Sequence, residues 1–122
     1  MAQLERLYDT MGELLYALAM VDGEIQPEEL RKLDQVLKGH PWGEAAKWSF
    51  NYEKGKKNDV ALTYEKVITA CHAYGPSPIY NDFISAMTKV AEAVGGIDPR
   101  EALLINNFSK DLTARFQKDD PR

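Results

Sequence analysis

Hydrophobic residues recur every three or four positions along most of the chain, which is the spacing of one face of an α-helix. In the first segment this spacing continues up to Asp22-Gly23, where glycine favours the left-handed conformation that ends a helix. The apolar positions of that segment are Leu7, Met11, Leu14, Leu15, Leu18 and Ala19. No segment shows the alternation of apolar and polar residues that is typical of a half-buried strand. The pattern therefore predicts an all-α protein.

Five further helices are predicted from the same spacing and from the residues that begin or end helices. Proline suits the first turn of a helix, which marks starts at Pro27, Pro78 and Pro99. Glycine at Gly39 and Gly75 marks breaks. The predicted ranges are 27–38, 42–54, 59–74, 78–94 and 99–116.

The chain has 122 residues, the size of one ordinary domain, and we expect a single domain over residues 1–116. Residues 55–58 are predicted to be a connection that contains two lysines. The polar residues 117–122 are predicted to form a frayed tail, because chain ends with few apolar side chains are poorly held.

The first and last predicted helix pairs resemble each other. The pattern Ile-x-Pro-x-Glu occurs at residues 25–29 and again at residues 97–101, in the same register relative to the flanking helices. Each pair has one apolar stripe per helix and cannot bury it alone. We therefore predict two helix–loop–helix units related by a pseudo-two-fold axis and packed face to face, with the helices at 42–54 and 59–74 as a central connection.

Charge and composition exclude several classes of protein. Acidic residues outnumber basic residues by 19 to 15, and a net charge of -4 argues against a general affinity for nucleic acid. A single cysteine excludes a disulfide within the chain and every zinc site with several cysteines. The longest apolar run, residues 14–21, is far shorter than the roughly 20 residues that span a membrane. The charged start of the chain differs from a signal peptide, so we expect a cytoplasmic protein.

The loop between the first two predicted helices contains four carboxylates, Asp22, Glu24, Glu28 and Glu29. Clusters of oxygen ligands suit hard cations such as Ca²⁺, Mg²⁺ and Mn²⁺. An EF-hand is excluded, because that loop requires an acidic ligand where this chain has Leu33. Asp22, Glu24 and Glu29 are therefore candidate metal ligands, and a divalent cation is the one cofactor that the sequence suggests.

The corresponding second loop offers Asp98 and Glu101 as weaker candidate metal ligands, because Val94 and Gly96 stand where the first loop has acidic residues. A second interpretation needs no metal. Carboxylates in the first turn of a helix complement the helix dipole and accept hydrogen bonds from free backbone amides. Asp98 and Glu101 have the spacing of such a capping box. The sequence agrees with both interpretations of these acidic residues, helix capping and cation binding.

The segment from Ala19 to Ile25, followed by Pro27-Glu28-Glu29, resembles the signature loop of the tellurite-resistance TerB family. That family has a second copy of the loop where this chain has residues 95–101. The resemblance covers essentially the whole chain and implies an all-α TerB-like helical bundle. It also implies a role in stress responses and metal binding by the acidic loops. No catalytic reaction is established for the family.

A TerB-like fold also forms the N-terminal domain of a membrane-anchored DnaJ-type co-chaperone. The resemblance therefore keeps a peripheral association with a membrane open, alongside a protein partner whose identity the sequence does not give.

No catalytic residues are predicted, and we do not expect an enzyme. Cys71 and His72 are adjacent in a helix, where neighbouring side chains point about 100° apart and cannot form a nucleophile–base pair. Cys71 is in phase with the apolar residues Val67 and Ile68, so we predict a core thiol. The basic residues around position 56 are too few for a nucleic-acid surface.

Two function classes remain. In the first, a TerB-like stress-response domain binds a divalent cation through its acidic loop. In the second, a metal-free adaptor docks a protein partner through the aromatic middle segment, in which Trp48 and Tyr52 are predicted to stack. The same rings could instead close one end of the bundle, because aromatic side chains contribute much of a core. The aromatic residues concerned are Trp42, Trp48, Phe50, Tyr52, Tyr64 and Tyr74.

Overall fold

The computed structural model of the chain describes residues 2–94 and 96–119. Within these residues the structure consists of helices and loops without a strand, which confirms the predicted all-α class. A single 3-10 turn follows the fifth helix. The helices are α1 (Ala2–Met20), α2 (Pro27–Leu37), α3 (Gly43–Lys56), α4 (Val60–Tyr74), α5 (Ile79–Ala91) with the 3-10 turn Glu92–Val94, and α6 (Pro99–Asp119).

Most helix boundaries lie where the sequence predicts them, and Gly23 adopts the expected positive φ of 95° after α1. Three boundaries differ. Helix α5 ends at Ala91, and the last part of its predicted range is the 3-10 turn Glu92–Val94. Helix α3 includes Gly55 and Lys56, for which the sequence predicts a loop, and it ends at Lys57 in the left-handed conformation. Helix α6 continues through residues 117–119, for which the sequence predicts a frayed tail, because glutamine and lysine favour helix. The rest of the predicted tail, residues 120–122, lies outside the described part of the chain.

The core is built around α1, which contacts α3, α4, α5 and α6. Its apolar stripe is fully buried, as the helical spacing predicts. Leu15 and Leu18 of α1 and Met87 and Val90 of α5 belong to the same core cluster. None of the helices in the described residues is long and apolar enough to cross a membrane.

Helices α1 and α3 approach each other closely at Gly12. A Cβ atom at this position would lie 2.1 Å from the carbonyl oxygen of Ala46 and 2.8 Å from Cβ of Ser49. Four residues later on α1, the Tyr16 hydroxyl donates a hydrogen bond of 2.7 Å to the carbonyl oxygen of Asn58. Glycine therefore allows a close crossing, and the tyrosine fixes the chain that follows α3.

A polar cluster joins α1, α3 and α4. Lys66 Nζ lies 2.6 Å from Glu13 Oε2 and 3.7 Å from Glu53 Oε2. Asn58 Nδ2 donates a hydrogen bond of 2.9 Å to Glu53 Oε1. The carboxylate of Glu53 is almost completely buried, and these partners compensate its charge. The cluster therefore stabilises the fold.

Candidate functional site

Two glutamates from opposite ends of the chain meet in the interior. Glu29 is the third residue of α2 and Glu101 is the third residue of α6. The two residues are 3% and 5% exposed, respectively, and their carboxyl groups lie close enough that each changes the pKa of the other. Since two ionised carboxylates repel each other, a proton or a cation between them would stabilise this arrangement.

Backbone amides hold one oxygen of each carboxyl group. Glu29 Oε1 accepts a hydrogen bond of 2.9 Å from the N–H of Gln26, and Glu101 Oε1 accepts one of 3.4 Å from the N–H of Asp98. Each glutamate therefore binds the residue that precedes its own helix, as in a capping box. Glu101 Oε2 is different, because it is buried and accepts no hydrogen bond from a donor among the described residues.

The surroundings favour the protonated form of both groups. Burial, together with the neighbouring Glu29, raises the pKa of Glu101 to about 8. Burial also raises the pKa of Glu29, and the negative charges of Asp22 and Glu28 act in the same direction. At neutral pH the pair therefore holds a proton, and the two groups titrate as a unit.

The pair lies at a small acidic cavity of about 260 Å³ between the loop after α1 and the loop before α6. Among the described residues that line it, four are acidic and none is basic. The lining residues are Asp22, Gln26, Glu29, Gly96, Ile97, Asp98 and Glu101. The two loops that the sequence singles out are therefore brought together at one place.

The four acidic lining residues are not equivalent. The carboxylate of Asp98 accepts a hydrogen bond of 2.8 Å from the N–H of Arg100, and Arg100 Nε lies 3.4 Å from the same oxygen. The backbone N–H of Arg100 holds the pKa of Asp98 below its usual range. Asp22 Oδ1 accepts a hydrogen bond of 3.2 Å from the N–H of Glu24, and its charge acts on both buried glutamates.

Two acids of the first loop lie apart from this cavity. Glu24 is a candidate metal ligand by sequence, but its side chain is exposed and is not among the lining residues. Glu28 Oε1 lies 3.4 Å from Arg31 Nη2, and this ion pair is on the surface. The structure therefore brings together Asp22, Glu29, Asp98 and Glu101 of the five candidate metal ligands.

No group of three or more His, Cys, Asp or Glu side chains within residues 2–94 and 96–119 is arranged closely enough to hold a metal ion. The buried glutamate pair supplies two carboxyl groups, and Asp22 is the nearby acid whose charge acts on both. Cation binding by these loops stays a prediction.

The aromatic middle segment is divided between core and surface. Trp42 and Phe50 are buried, in agreement with rings that close the bundle. Trp48 and Tyr52 are 66% and 48% exposed and are stacked as predicted, with ring centroids 5.5 Å apart. Tyr64 is half-buried and donates a hydrogen bond of 2.6 Å to Asp111 Oδ2. Tyr74 is exposed.

The cysteine is a core residue, as its helical phase predicts. Cys71 is completely buried, and burial raises the pKa of its thiol to about 12. A thiol in this state is a poor nucleophile, because the thiolate is the reactive form.

Comparisons of the chain with protein-family models, with curated proteins and with solved structures found no match. The resemblance to the TerB family therefore stays a prediction from the loop residues themselves.

Proposed function

We propose that this chain is a non-catalytic, TerB-like stress-response domain that binds a divalent cation in its acidic cavity. One observation carries the proposal: the buried Glu101 Oε2 accepts no hydrogen bond from the described residues, although it belongs to a cavity lined by three other acids. A buried polar atom without a partner is costly, and either the proton shared with Glu29 or, in its place, a bound cation would satisfy it.

The chemistry of the donors suits a hard cation. Glu29 and Glu101 would hold the ion through carboxylate oxygens, and Asp22, which forms no three-residue ligand group with them among the described residues, would contribute through a bound water. Oxygen ligands of this kind suit Ca²⁺, Mg²⁺ or Mn²⁺, with water completing the coordination shell. Asp98 would contribute less, because its carboxylate already binds Arg100. The cation would neutralise the acidic cavity and join the loop before α2 to the loop before α6.

The proposal includes the pseudo-two-fold relation of the two helix–loop–helix units. It is supported by the equal positions of Glu29 and Glu101 in α2 and α6. A cation between these residues would lie at the contact of the two units. The cytoplasm is the proposed location.

Thermal unfolding with and without cations tests the proposal. Specific binding to the folded state raises stability by mass action, by about 2.7 kcal/mol when the free ion exceeds its Kd a hundredfold. We expect millimolar Ca²⁺, Mg²⁺ or Mn²⁺ to raise the melting temperature above that in EDTA. Glu29→Gln and Asp22→Asn should abolish the rise. Glu44→Gln, which removes an exposed carboxylate of α3, is the matched control and should retain it. An unchanged melting temperature in the unsubstituted protein would contradict cation binding.

A second candidate function, a metal-free adaptor that docks a protein partner, is favoured by the exposed Trp48 and Tyr52. Most large aromatic side chains are buried in a folded protein or lie at an interface. A photo-crosslinking amino acid at position 48 should therefore trap a partner in cells, whereas the same group at the exposed position 110 should not. Equal labelling from both positions would contradict docking at this segment.

A further inference from the structure

The outer surface of α3 carries a row of four exposed side chains that follow one another at intervals of four residues. In chain order they are Glu44, Trp48, Tyr52 and Lys56. Side chains at this spacing form one ridge on the surface of a helix. This row, the α3 ridge, therefore has an acid at one end, a base at the other end and two aromatic rings between them.

The centre of the α3 ridge is an exposed apolar surface. The rings of Trp48 and Tyr52 are stacked, with centroids 5.5 Å apart and an interplanar angle of 16°. Both side chains are exposed although each is large and mostly apolar. Rigid aromatic side chains of this kind are enriched at protein interfaces, where they supply contact area.

The charged ends of the α3 ridge have no oppositely charged partner among the described residues. Neither Glu44 nor Lys56 forms an ion pair within residues 2–94 and 96–119, whereas the neighbouring Lys47 pairs with Asp34. The ridge carries one carboxylate and one ammonium group, so its charges cancel. It therefore has no excess charge that would select an acidic or a basic segment as its partner.

The order of the four residues makes the α3 ridge complementary to itself. The two charged residues lie equally far from the centre of the ridge, and so do the two rings. When a second ridge lies alongside in the opposite direction, Glu44 faces Lys56 of the second copy and Trp48 faces its Tyr52. A two-fold axis through the centre forms both charge pairs at once, as in a symmetric dimer interface. The ridge residues nearest to the axis are the uncharged rings, so like charges of the ridge do not meet.

We propose that the α3 ridge binds the α3 ridge of a second copy of this chain and forms a symmetric, antiparallel dimer. Helices that interlock through ridges of four-residue spacing cross at about -50°, the commonest class of helix packing in globular proteins. A contact between two single helices is small beside the roughly 1,200–2,000 Å² that stable interfaces bury, so the dimer dissociates on dilution. The inference rests on the second candidate function above and names the partner that the aromatic segment docks.

Sedimentation velocity of the purified chain tests the inference at concentrations from about 10 μM to about 1 mM, a range suited to a weak complex. We expect the mean mass to rise from that of one chain to that of two chains. Trp48→Ala should weaken the association by about tenfold or more, as expected for loss of a central aromatic anchor. Leu103→Ala removes an exposed apolar side chain from α6 and should leave the association unchanged.

Charge reversal tests the antiparallel register. Glu44→Lys brings two lysines together, and Lys56→Glu brings two glutamates together, so each should weaken the association by about tenfold or more. The double variant Glu44→Lys/Lys56→Glu exchanges the charges and should restore the association. The two single variants should also associate with each other when mixed, because each lysine of one then faces a glutamate of the other.

Lys54→Glu is the matched control for the charge change. Lys54 is exposed on the same helix but lies about 160° around it from Lys56, so this variant should associate like the unsubstituted protein. Circular dichroism checks that each variant is folded.

The outcomes separate the inference from the function on which it rests. A single-chain mass at every concentration would overturn the dimer, and a crosslink from position 48 to a different protein would then leave docking by this segment in place. A single-chain mass without any such crosslink would overturn both. Association that is unaffected by Trp48→Ala, or that neither the double variant nor the mixture restores, would overturn the inference, because the copies would meet at another surface or in another register.

Discussion

Glu29 and Glu101 occupy the same position of two different helices, and their buried carboxyl groups line the same acidic cavity. Each also caps its own helix by accepting a hydrogen bond from the backbone N–H of the residue just before that helix, Gln26 or Asp98. The capping and the metal-binding interpretations of the sequence are therefore compatible. One oxygen of each carboxyl group serves the helix, and the pair as a whole can hold a proton or a cation.

The pH dependence of stability should report the buried pair. The pKa of Glu101 is raised from 4.5 to about 8, so the folded state binds more protons than the unfolded state between these values. Stability should therefore fall as the pH rises from about 4.5 to about 8, by about 2 kcal/mol if roughly half of the shift is expressed. Glu101→Gln keeps the shape and removes the titration.

Denaturant unfolding in EDTA between pH 5 and pH 9 measures this effect. In the variant Glu101→Gln, the free energy of unfolding should change little between pH 5 and pH 9. At pH 8 this variant should be more stable than the unsubstituted protein. Glu92→Gln, which changes an exposed carboxylate, is the control and should follow the unsubstituted protein. Equal pH dependence in the unsubstituted protein and in Glu101→Gln would show that Glu101 has an ordinary pKa.

The sequence predicts the class and the helices well, because a period of 3.6 residues gathers apolar side chains on one face only when the chain is helical. The predicted ends of α3, α5 and α6 are wrong. Gly55 suggests a break, although glycine is tolerated in a helix at a modest cost. The residues after Phe116 suggest a tail because they are polar, but their helix propensity is high.

The burial of Leu18 is the simplest test of the core. This side chain is completely buried on α1, so Leu18→Ala should lower the free energy of unfolding by about 2–5 kcal/mol. Leu103→Ala makes the same change at a side chain that is 60% exposed, and should cost less than about 0.5 kcal/mol. Denaturant unfolding of the two variants gives both values. Equal losses of unfolding free energy in the two variants would mean that Leu18 does not lie on the buried face of α1.

Gly12 and Gly55 should respond in opposite ways to the same substitution. Gly12→Ala places a Cβ atom against the backbone of α3 and should destabilise the protein by about 1–3 kcal/mol. Gly55→Ala meets no atom within 4 Å and should stabilise α3 by about 0.5–1 kcal/mol. Melting temperatures that move in the same direction would contradict the close crossing of α1 and α3.

The thiol of Cys71 should be inert in the folded protein. It is buried, and its pKa is raised to about 12, so the thiolate is scarce at pH 8. Ellman's reagent should modify it at the rate of unfolding and react rapidly only in denaturant. Rapid modification of the native protein would show that the core around α4 is open.

The sequence predicts the candidate site in part. The acidic residues of both loops are identified from their spacing, but their contact depends on how α2 and α6 pack, which no local pattern determines. Glu24 illustrates the limit, because it lies in the same acidic run and yet is absent from the cavity lining. The burial of Glu53 could have been predicted from the helical spacing, because this acid lies on the same face of α3 as Ala46 and Phe50.

Amide NMR spectra of the protein during titration with Ca²⁺ and Mg²⁺ test cation binding most directly. We expect saturable shifts at residues 22–29 and 96–101, absent from the Glu29→Gln/Glu101→Gln variant and present in Glu44→Gln. The proton held by the glutamate pair should compete with the ion, so the affinity should rise with pH. Spectra that stay unchanged at these residues in millimolar Ca²⁺ and Mg²⁺, or shifts that persist in the double variant, would contradict a cation site in this cavity.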